Sequence, residues 1–508
     1  MNISWKQTWF FLVVIIFLAL GIRFFALGNN SFVADEFLDI NSSYGYFKTG
    51  EWRAWDFNFN KPSEVNLNAP RDERAGVYKW QVAQLFYILP PTETTARLVS
   101  VIWGVISVGI IFWAAFVFTK RKEIALLAAF LFAISVSGII FDRTLRMYAM
   151  FFPLYLAAST MTFLALEHAY RGRISFLRRF SEKTGIHLPY AFFAGALFIF
   201  SLLTHQLTGT LVFSVGVYLL VRLIQEYRLK KTLKNKYSGI ALVGVLGISI
   251  IAFFFPRFFK SFSGGLIFFD NHYGYISYVL RDYAHPLLAV LSLCFGIFWI
   301  ARREKLPNAS LFLFLSFFVP LLMAIWLWRR NIGVQYIFFV QSFGMVLVSA
   351  GIFGAWKIVC EMFHLTETKK MLVVFGLLVV LLPNLGYFFE ENNTYHETSS
   401  GSNPNYRKVF TYFKKEHKDT DVLVTRNVRN YYFAGIAVPV YDLGDEISRT
   451  RLSVSDLEQL MRDYESGWII LSDNDYDYVG KGVKDFMNKH LIRVSNDQVR
   501  GAIDVYRW

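Results

Sequence analysis

Only two cysteines occur in 508 residues, Cys294 and Cys360, and both lie in or at the end of apolar segments. A disulfide framework and a cysteine-based metal site are thereby excluded, and the pair carries no information about redox compartment. Charge is sparse as well: 18% of the residues are Asp, Glu, Lys or Arg, against 55% hydrophobic and 18% aromatic. A chain this apolar, with its hydrophobicity in blocks, suits a bilayer and not a single soluble core. Acid is the scarcer sign, 38 residues against 52 basic, which leaves a net charge of +14. In a soluble protein that excess would suggest nucleic acid, but here the basic residues sit in short loops between apolar blocks, so the pattern is one of topology and nucleic acid is excluded. Also lacking are an internal repeat and a clear A-x-A cleavage site after the first apolar segment. The segment Thr8 to Leu27, which follows Lys6, is therefore expected to be a retained anchor and not a cleaved signal.

Apolar runs of spanning or near-spanning length begin near Thr8, Leu98, Ile124, Tyr148, Tyr190, Leu207, Ile240, Leu287, Leu311, Val334 and Met371, which gives about eleven membrane helices. With the N-terminus in the cytoplasm, the inner loops hold Lys120 to Lys122, then Arg171, Arg173, Arg178, Arg179 and Lys183, then Arg228 to Lys236, Arg302 to Lys305, and Lys357 to Lys370. Each is basic, as cytoplasmic loops are. An odd number of spans places the tail on the opposite, extracytoplasmic side.

The first outer loop, 28–97, is long and carries two helical patterns. Asp35 to Thr49 puts Phe37, Ile40, Tyr44 and Phe47 on one face and stops at Gly50, and Val77 to Leu89 is the second. Such helices are expected to lie along the membrane interface, apolar face in lipid. The tail, 390–508, is polar and follows a turn-rich linker, Thr398 to Pro404. Short β-rich runs at Asp421 to Thr425 and Trp468 to Ser472 alternate with an amphipathic helix at Ser453 to Tyr464, which predicts a small α/β domain. The expected division is thus 1–389 for the membrane domain and 390–508 for the tail.

Chemistry-bearing residues gather on the outer side. Asp35-Glu36 begins the first loop helix, where an acid either caps the helix and complements its dipole or takes a proton from an acceptor hydroxyl. The short outer turn around Asp142, Arg143, Arg146 and Tyr148 carries two arginines among apolar neighbours. They either snorkel to headgroups beside an Asp–Arg pair or grip a phosphate, for which the planar guanidinium fork is suited. Arg329-Arg330 and Lys61-Pro62 pose the same choice. His205, in a tight turn, is either hydrogen-bonded structure or a substrate contact. Asp35, Glu36 and Asp142 offer the oxygen ligands that hard cations take, yet nothing in their spacing requires a metal.

At these residues the sequence resembles the GT-C class of membrane glycosyltransferases, in the branch that contains the protein O-mannosyltransferases and the lipid A aminoarabinose transferases. The matching elements are the first span followed by Asp35-Glu36, the stretch from Tyr78 through Trp80 to Pro90 and Arg97-Leu98, and Asp142-Arg143 with Arg146 to Ala149. Leu203-Thr204-His205 extends the resemblance, and beyond it only the topology is similar. The resemblance implies transfer of one sugar from a polyprenyl phosphate to an acceptor hydroxyl of protein, lipid or glycan at the outer membrane face. It further implies inversion at the sugar, no required metal although a divalent cation is compatible, Asp35 as catalytic carboxylate, and Asp142 holding acceptor or sugar. Lys61 matches a lysine that contacts the donor phosphate. It is separated from Gly76 to Trp80 by a longer stretch, which includes Arg71, Asp72, Glu73 and Arg74, than in many relatives, so Lys79 or Arg74 are its substitutes. Gln335-Tyr336 stands where many relatives have Arg-Tyr, which moves the phosphate contact toward Arg329 or Arg330.

The residue types suit this chemistry. A sugar phosphate brings its own leaving group, so cations must stabilise the departing phosphate while one base activates the hydroxyl. The paired carboxylates of glycoside hydrolysis are not needed. Two other classes stay open at this level: a transporter or flippase for lipid-linked sugars, which would put charges near mid-membrane in repeated halves, and a non-catalytic glycolipid receptor. The sugar and acceptor are not legible, and the sequons at Asn41 and Asn392 are short enough to arise by chance.

Overall fold

The computed structural model describes the chain except residues 1–2, 34, 64–72, 233–234, 255, 257–270, 329–331, 365–368, 370–375, 377–384, 391–392, 396–403, 445–449, 495–498 and 500–502. From the N-terminus the elements are α1 (Trp5–Phe24), α2 (Glu36–Thr49), the short hairpin β1 (Trp55–Asp56) and β2 (Lys61–Pro62), α3 (Gly76–Leu85) and α4 (Glu93–Thr119). Then follow α5 (Lys122–Ala133), α6 (Val136–Asp142), α7 (Tyr148–Glu167), α8 (Ser175–Thr184), α9 (Leu188–Thr204), α10 (Thr210–Lys230) and α11 (Lys236–Phe254). After these come α12 (Gly274–Leu280), α13 (Pro286–Phe298), α14 (Pro307–Trp326) and α15 (Gln341–Met362). The C-terminal part comprises α16 (Tyr406–Glu416), β3 (Val422–Thr425), β4 (Val440–Asp442), α17 (Val454–Asp463), β5 (Gly467–Ser472), α18 (Val483–His490), β6 (Ile492–Arg493) and β7 (Ile503–Arg507).

Among the described residues eight helices are long and apolar enough to cross a bilayer. Two bent pairs, α5 with α6 at 59° and α8 with α9 at 84°, raise the number to ten if each is one span. The protein is an integral membrane protein. The eleventh expected segment, from Met371, lies outside the described residues.

The chain divides into two compact units, the first made of Met1–Arg23, Ser100–Asp142 and Met147–Gly386. In hydrocarbon each backbone polar group must find a partner inside the protein, and the break between α5 and α6 shows how this is done. Arg23, fully buried, donates to the carbonyls of Ala133 at 2.8 Å and Phe132 at 3.2 Å in the last turn of α5, and Phe132 O also accepts from the Ser135 amide at 3.1 Å. On the other side of the break Asp282 accepts from the Ser137 amide at 2.8 Å and from Ser135 Oγ at 3.0 Å. A cation thus meets the carbonyl end of one half-helix and an anion the amide end of the next, as the helix dipoles favour. Elsewhere in the unit α13 and α15 touch backbone to backbone: a Cβ on Gly296 would stand 1.9 Å from Leu347 O, and one on Gly351 1.9 Å from Ser292 O. Small residues allow that approach between membrane helices.

The second unit joins Phe24–Val99, Arg143–Arg146 and Tyr387–Trp508. Its mixed sheet runs in the order β4-β3-β5-β7-β6, with β3 parallel to β4 and β5, and β7 antiparallel to β5 and β6. The β-rich runs and the amphipathic helix fall where the alternation in the sequence places them. The central strand β5 is buried along its whole length, as a strand covered on both faces must be. On one face Phe413 of α16 meets the Trp468 ring at 5.5 Å, and on the other Ile469 and Leu471 pack with Leu457 of α17 and Met487 of α18.

In the same unit α2 ends as the sequence indicates, at Gly50, whose φ of 76° an L-residue seldom adopts and whose amide returns to Tyr46 O at 2.8 Å. Its apolar face differs from the expectation of a lipid contact. Phe37 and Ile40 are fully buried, and Phe37 packs edge-on against Tyr406 at 5.0 Å and Tyr432 at 5.9 Å. Aromatic residues far along the chain therefore cover a face that hydropathy alone assigns to the membrane. The second loop helix, α3, is followed by the exposed apolar residues Tyr87, Ile88 and Leu89.

Candidate active site

Asp35 stands just before α2 with helical dihedrals and makes no side-chain capping bond. Its carboxylate is 61% exposed and lies 3.0 Å from Arg146 NH2. One turn later Asp39, nearly buried, holds the other nitrogen of the same guanidinium at 3.0 Å. Arg146 also donates to the Asp35 carbonyl at 3.3 Å. An exposed acid therefore shares a nearly buried cation with a second, covered acid.

Glu36 has a different part. Its Oε1 accepts from Arg97 Nε at 2.8 Å and from the Leu145 amide at 2.7 Å, and its Oε2 from Arg97 NH2 at 2.7 Å and the Val33 amide at 3.0 Å. Four donors saturate a carboxylate that is only 1% exposed. Through Leu145 this acid ties the arginine-bearing turn to the start of α2. Arg143 donates to the Phe25, Ala26 and Thr394 carbonyls and to Thr394 Oγ1, and lies 4.1 Å over the Tyr395 ring.

Lys61 is exposed on β2, its Nζ 5.6 Å over the Phe59 ring. Tyr78 and Lys79 of α3 are buried, and the Lys79 ammonium lies 5.6 Å over Trp52. Arg74 is exposed. All these residues belong to the second unit.

Three expected site residues among the described ones belong to the first unit. Asp142 is 1% exposed and pairs with Arg23 at 2.7 Å, so its Asp–Arg partner comes from the first span and not from the neighbouring turn. Tyr148 and His205 are buried with ring centroids 5.3 Å apart. His205 Nδ1 accepts from the Leu207 amide at 3.1 Å, which leaves the proton of the neutral ring on Nε2. Arg329 and Arg330 lie outside the described residues. No group of three or more His, Cys, Asp or Glu able to hold a metal occurs among the described residues.

Sequence reasoning missed Arg23 and Asp39. Both had a signal: Arg23 is an ionisable residue inside an apolar segment, which is seldom idle, and Asp39 is four residues from Asp35 on one helix face.

No protein-family model matches the chain, and no curated protein matches it. Solved structures do. The structure of ArnT from Cupriavidus metallidurans in the apo state superposes with a TM-score of 0.58 over 99% of this chain and 98% of that one, at 13% identity. The oligosaccharyltransferase of Archaeoglobus fulgidus in the apo form gives a TM-score of 0.61 over 94% of this chain and 71% of that one, at 10% identity. The same archaeal enzyme, AglB, in complex with an inhibitory peptide and a dolichol-phosphate, gives 0.59 over 93% and 70%, at 11% identity. The chain therefore has the fold of the GT-C glycosyltransferases.

Proposed function

We propose that this protein is an inverting glycosyltransferase that moves a single sugar from a polyprenyl phosphate to an acceptor hydroxyl at the extracytoplasmic membrane face. The observation that carries the reading is the solvent-facing Asp35 carboxylate with the Arg146 guanidinium fixed beside it. The fold supports it: ArnT has been solved bound to undecaprenyl phosphate, and AglB with a dolichol-phosphate. A single-sugar donor is carried over from the sequence resemblance at Asp35-Glu36 and at Asp142 to Ala149, and the likeness in fold to ArnT spans nearly all of both chains.

In the proposed reaction Asp35 takes the proton from the acceptor hydroxyl, whose oxygen forms a bond to the anomeric carbon from the face opposite the phosphate. The bond from that carbon to the phosphate oxygen breaks, and polyprenyl phosphate leaves with the electron pair. Arg146 steadies the growing phosphate charge, as preorganised cations do, and Lys61, Arg329 and Arg330 are proposed to share this task. Glu36, Tyr78, Lys79, Arg143, Tyr148 and His205 are assigned to shaping and binding, and Asp142, committed to Arg23, to holding the end of α6 from which the arginine turn departs. The outer-face assignment follows the basic loops, including the exposed helix α8 with Arg178, Arg179 and Lys183, which mark the cytoplasmic side. Residues 1–389 are taken as the transferase domain, with α3 along the interface, and 390–508 as the extracytoplasmic domain.

The test is turnover of a panel of labelled undecaprenyl-phosphate sugars by the purified protein in nanodiscs with a membrane extract as acceptor source. Asp35→Asn is expected to lower turnover by about a hundredfold or more, the usual worth of a general base, while undecaprenyl phosphate still binds. Full turnover in Asp35→Asn defeats the reading. Movement of lipid-linked sugar across the bilayer without new glycosidic bonds identifies a transporter, and binding without either identifies a receptor.

A further inference from the structure

The segment that delivers Asp35 from the first span has its polar backbone held by side chains from distant parts of the second unit. Arg97 donates to the carbonyls of Leu27, Asn30 and Ser31 at 2.9 to 3.1 Å. Arg407 of α16 donates to the carbonyls of Gly28 at 2.9 Å and Asn30 at 3.3 Å. The Phe32 amide donates to the Tyr432 hydroxyl at 2.5 Å. Glu93, at the start of α4, links the two C-terminal residues, accepting from Arg407 NH2 at 2.5 Å and from the Tyr432 hydroxyl at 2.9 Å. Two residues more than 300 positions away thus grip the backbone at Gly28, Asn30 and Phe32, on the way to the acid.

We propose that Tyr432 and Arg407 of the C-terminal domain are positioning residues for Asp35, and that this domain is a brace for the catalytic carboxylate. The proposal rests on the reading of Asp35 as the base. Side-chain packing acts in the same direction, since Phe32 meets Tyr431 edge-on at 5.2 Å and Phe37 meets Tyr406 at 5.0 Å. Two residues past Asp39, Asn41 Nδ2 donates to the Val428 carbonyl at 2.6 Å, so α2 is held at both its start and its middle. Burial, with Glu93 beside it, pushes the Tyr432 phenol far up, which keeps its proton available to Glu93 at any working pH. An unbraced loop has local openings of low free energy, and a displacement of about 1 Å at a reacting group costs roughly a hundredfold in rate.

Full-length protein in nanodiscs is compared as wild type, Tyr432→Phe, Arg407→Ala and Arg407→Lys. Hydrogen exchange of the amides in 28–40 is read beside undecaprenyl phosphate affinity and turnover of the labelled undecaprenyl-phosphate sugar that wild type consumes. Tyr432→Phe keeps the ring and removes only the hydroxyl, so the domain stays folded. The expected result is faster exchange confined to 28–40, kcat lowered by about tenfold to a hundredfold, KM and undecaprenyl phosphate affinity nearly unchanged, and partial rescue in Arg407→Lys relative to Arg407→Ala. Unchanged exchange in both Tyr432→Phe and Arg407→Ala overturns the brace. Faster exchange with unchanged kcat, while Asp35→Asn is inactive, overturns the positioning role. Faster exchange with an active Asp35→Asn overturns the base assignment and leaves the brace as measured.

Discussion

Asp39 and Arg146 are joined at 3.0 Å in a nearly buried contact, although 107 residues separate them. Asp39 anchors the guanidinium at NH1, while the exposed Asp35 carboxylate pairs with NH2. In the proposed reaction, a donor phosphate arriving at the open side would exchange with Asp35 for Arg146 without displacing the arginine.

This arrangement predicts that Asp39→Asn weakens undecaprenyl phosphate binding by about tenfold, the scale of one lost charged hydrogen bond, ~1.4 kcal/mol. Arg146→Ala is expected to weaken it further and to lower turnover as well. Titration of the lipid phosphate into each variant reads both effects. Wild-type affinity in Asp39→Asn removes the anchoring role.

Inside the first unit Arg23 serves Asp142 and two backbone carbonyls together. Arg23→Ala strands a buried carboxylate, and breaking such a pair from one side costs about 3–5 kcal/mol. The double variant Arg23→Met with Asp142→Leu removes both charges and is expected to recover part of that loss. Thermal unfolding in detergent measures the series. An Arg23→Ala protein as stable as wild type contradicts the account.

The proposed chemistry asks no metal to carry charge, because guanidinium and ammonium groups meet the leaving phosphate. The archaeal oligosaccharyltransferase has been solved in complex with zinc and sulfate, so the point is worth a direct trial. Turnover is expected to survive EDTA and dialysis, and to be unaffected by added Mg²⁺, Mn²⁺ or Zn²⁺. Loss with EDTA and recovery with one cation reverses this expectation.

In the C-terminal domain Ser453 and Asp456 cap α17 reciprocally. The Ser453 hydroxyl, then its amide, hold the Asp456 carboxylate below its ordinary range. A depressed acid stabilises the fold above its unfolded pKa of about 3.9 and loses that contribution as pH falls through the lower, folded value. Ser453→Ala is thus expected to cost about 0.5–2 kcal/mol at neutral pH, and less below pH ~4 as Asp456 becomes protonated. A penalty independent of pH rules out the reciprocal cap.

Periodicity made the local elements readable. The start and stop of α2, the amphipathic α17 and strands β3 and β5 follow from spacing, glycine and alternation among residues close in the chain. Partners across long stretches of chain were not readable. Nothing near Phe37 in the sequence indicates that Tyr406 and Tyr432 cover it, and periodicity alone assigns its face to lipid. Spacing offers Asp142 an arginine of its own turn as one alternative, whereas its partner is Arg23, 119 residues earlier. Asp35 was found as an acid near a helix start, but its exposure and its shared arginine depend on the fold.

The break between α5 and α6 has a bearing on how the protein is made. The Ser137 amide waits for a carboxylate synthesised 145 residues later, whereas the carbonyls at the other side of the gap receive their arginine from a helix already made. A chain that ends before Asp282 lacks the acceptor for that amide and for the Ser135 hydroxyl, so the break between α5 and α6 is expected to reach its final form only after the segment carrying Asp282 has been made.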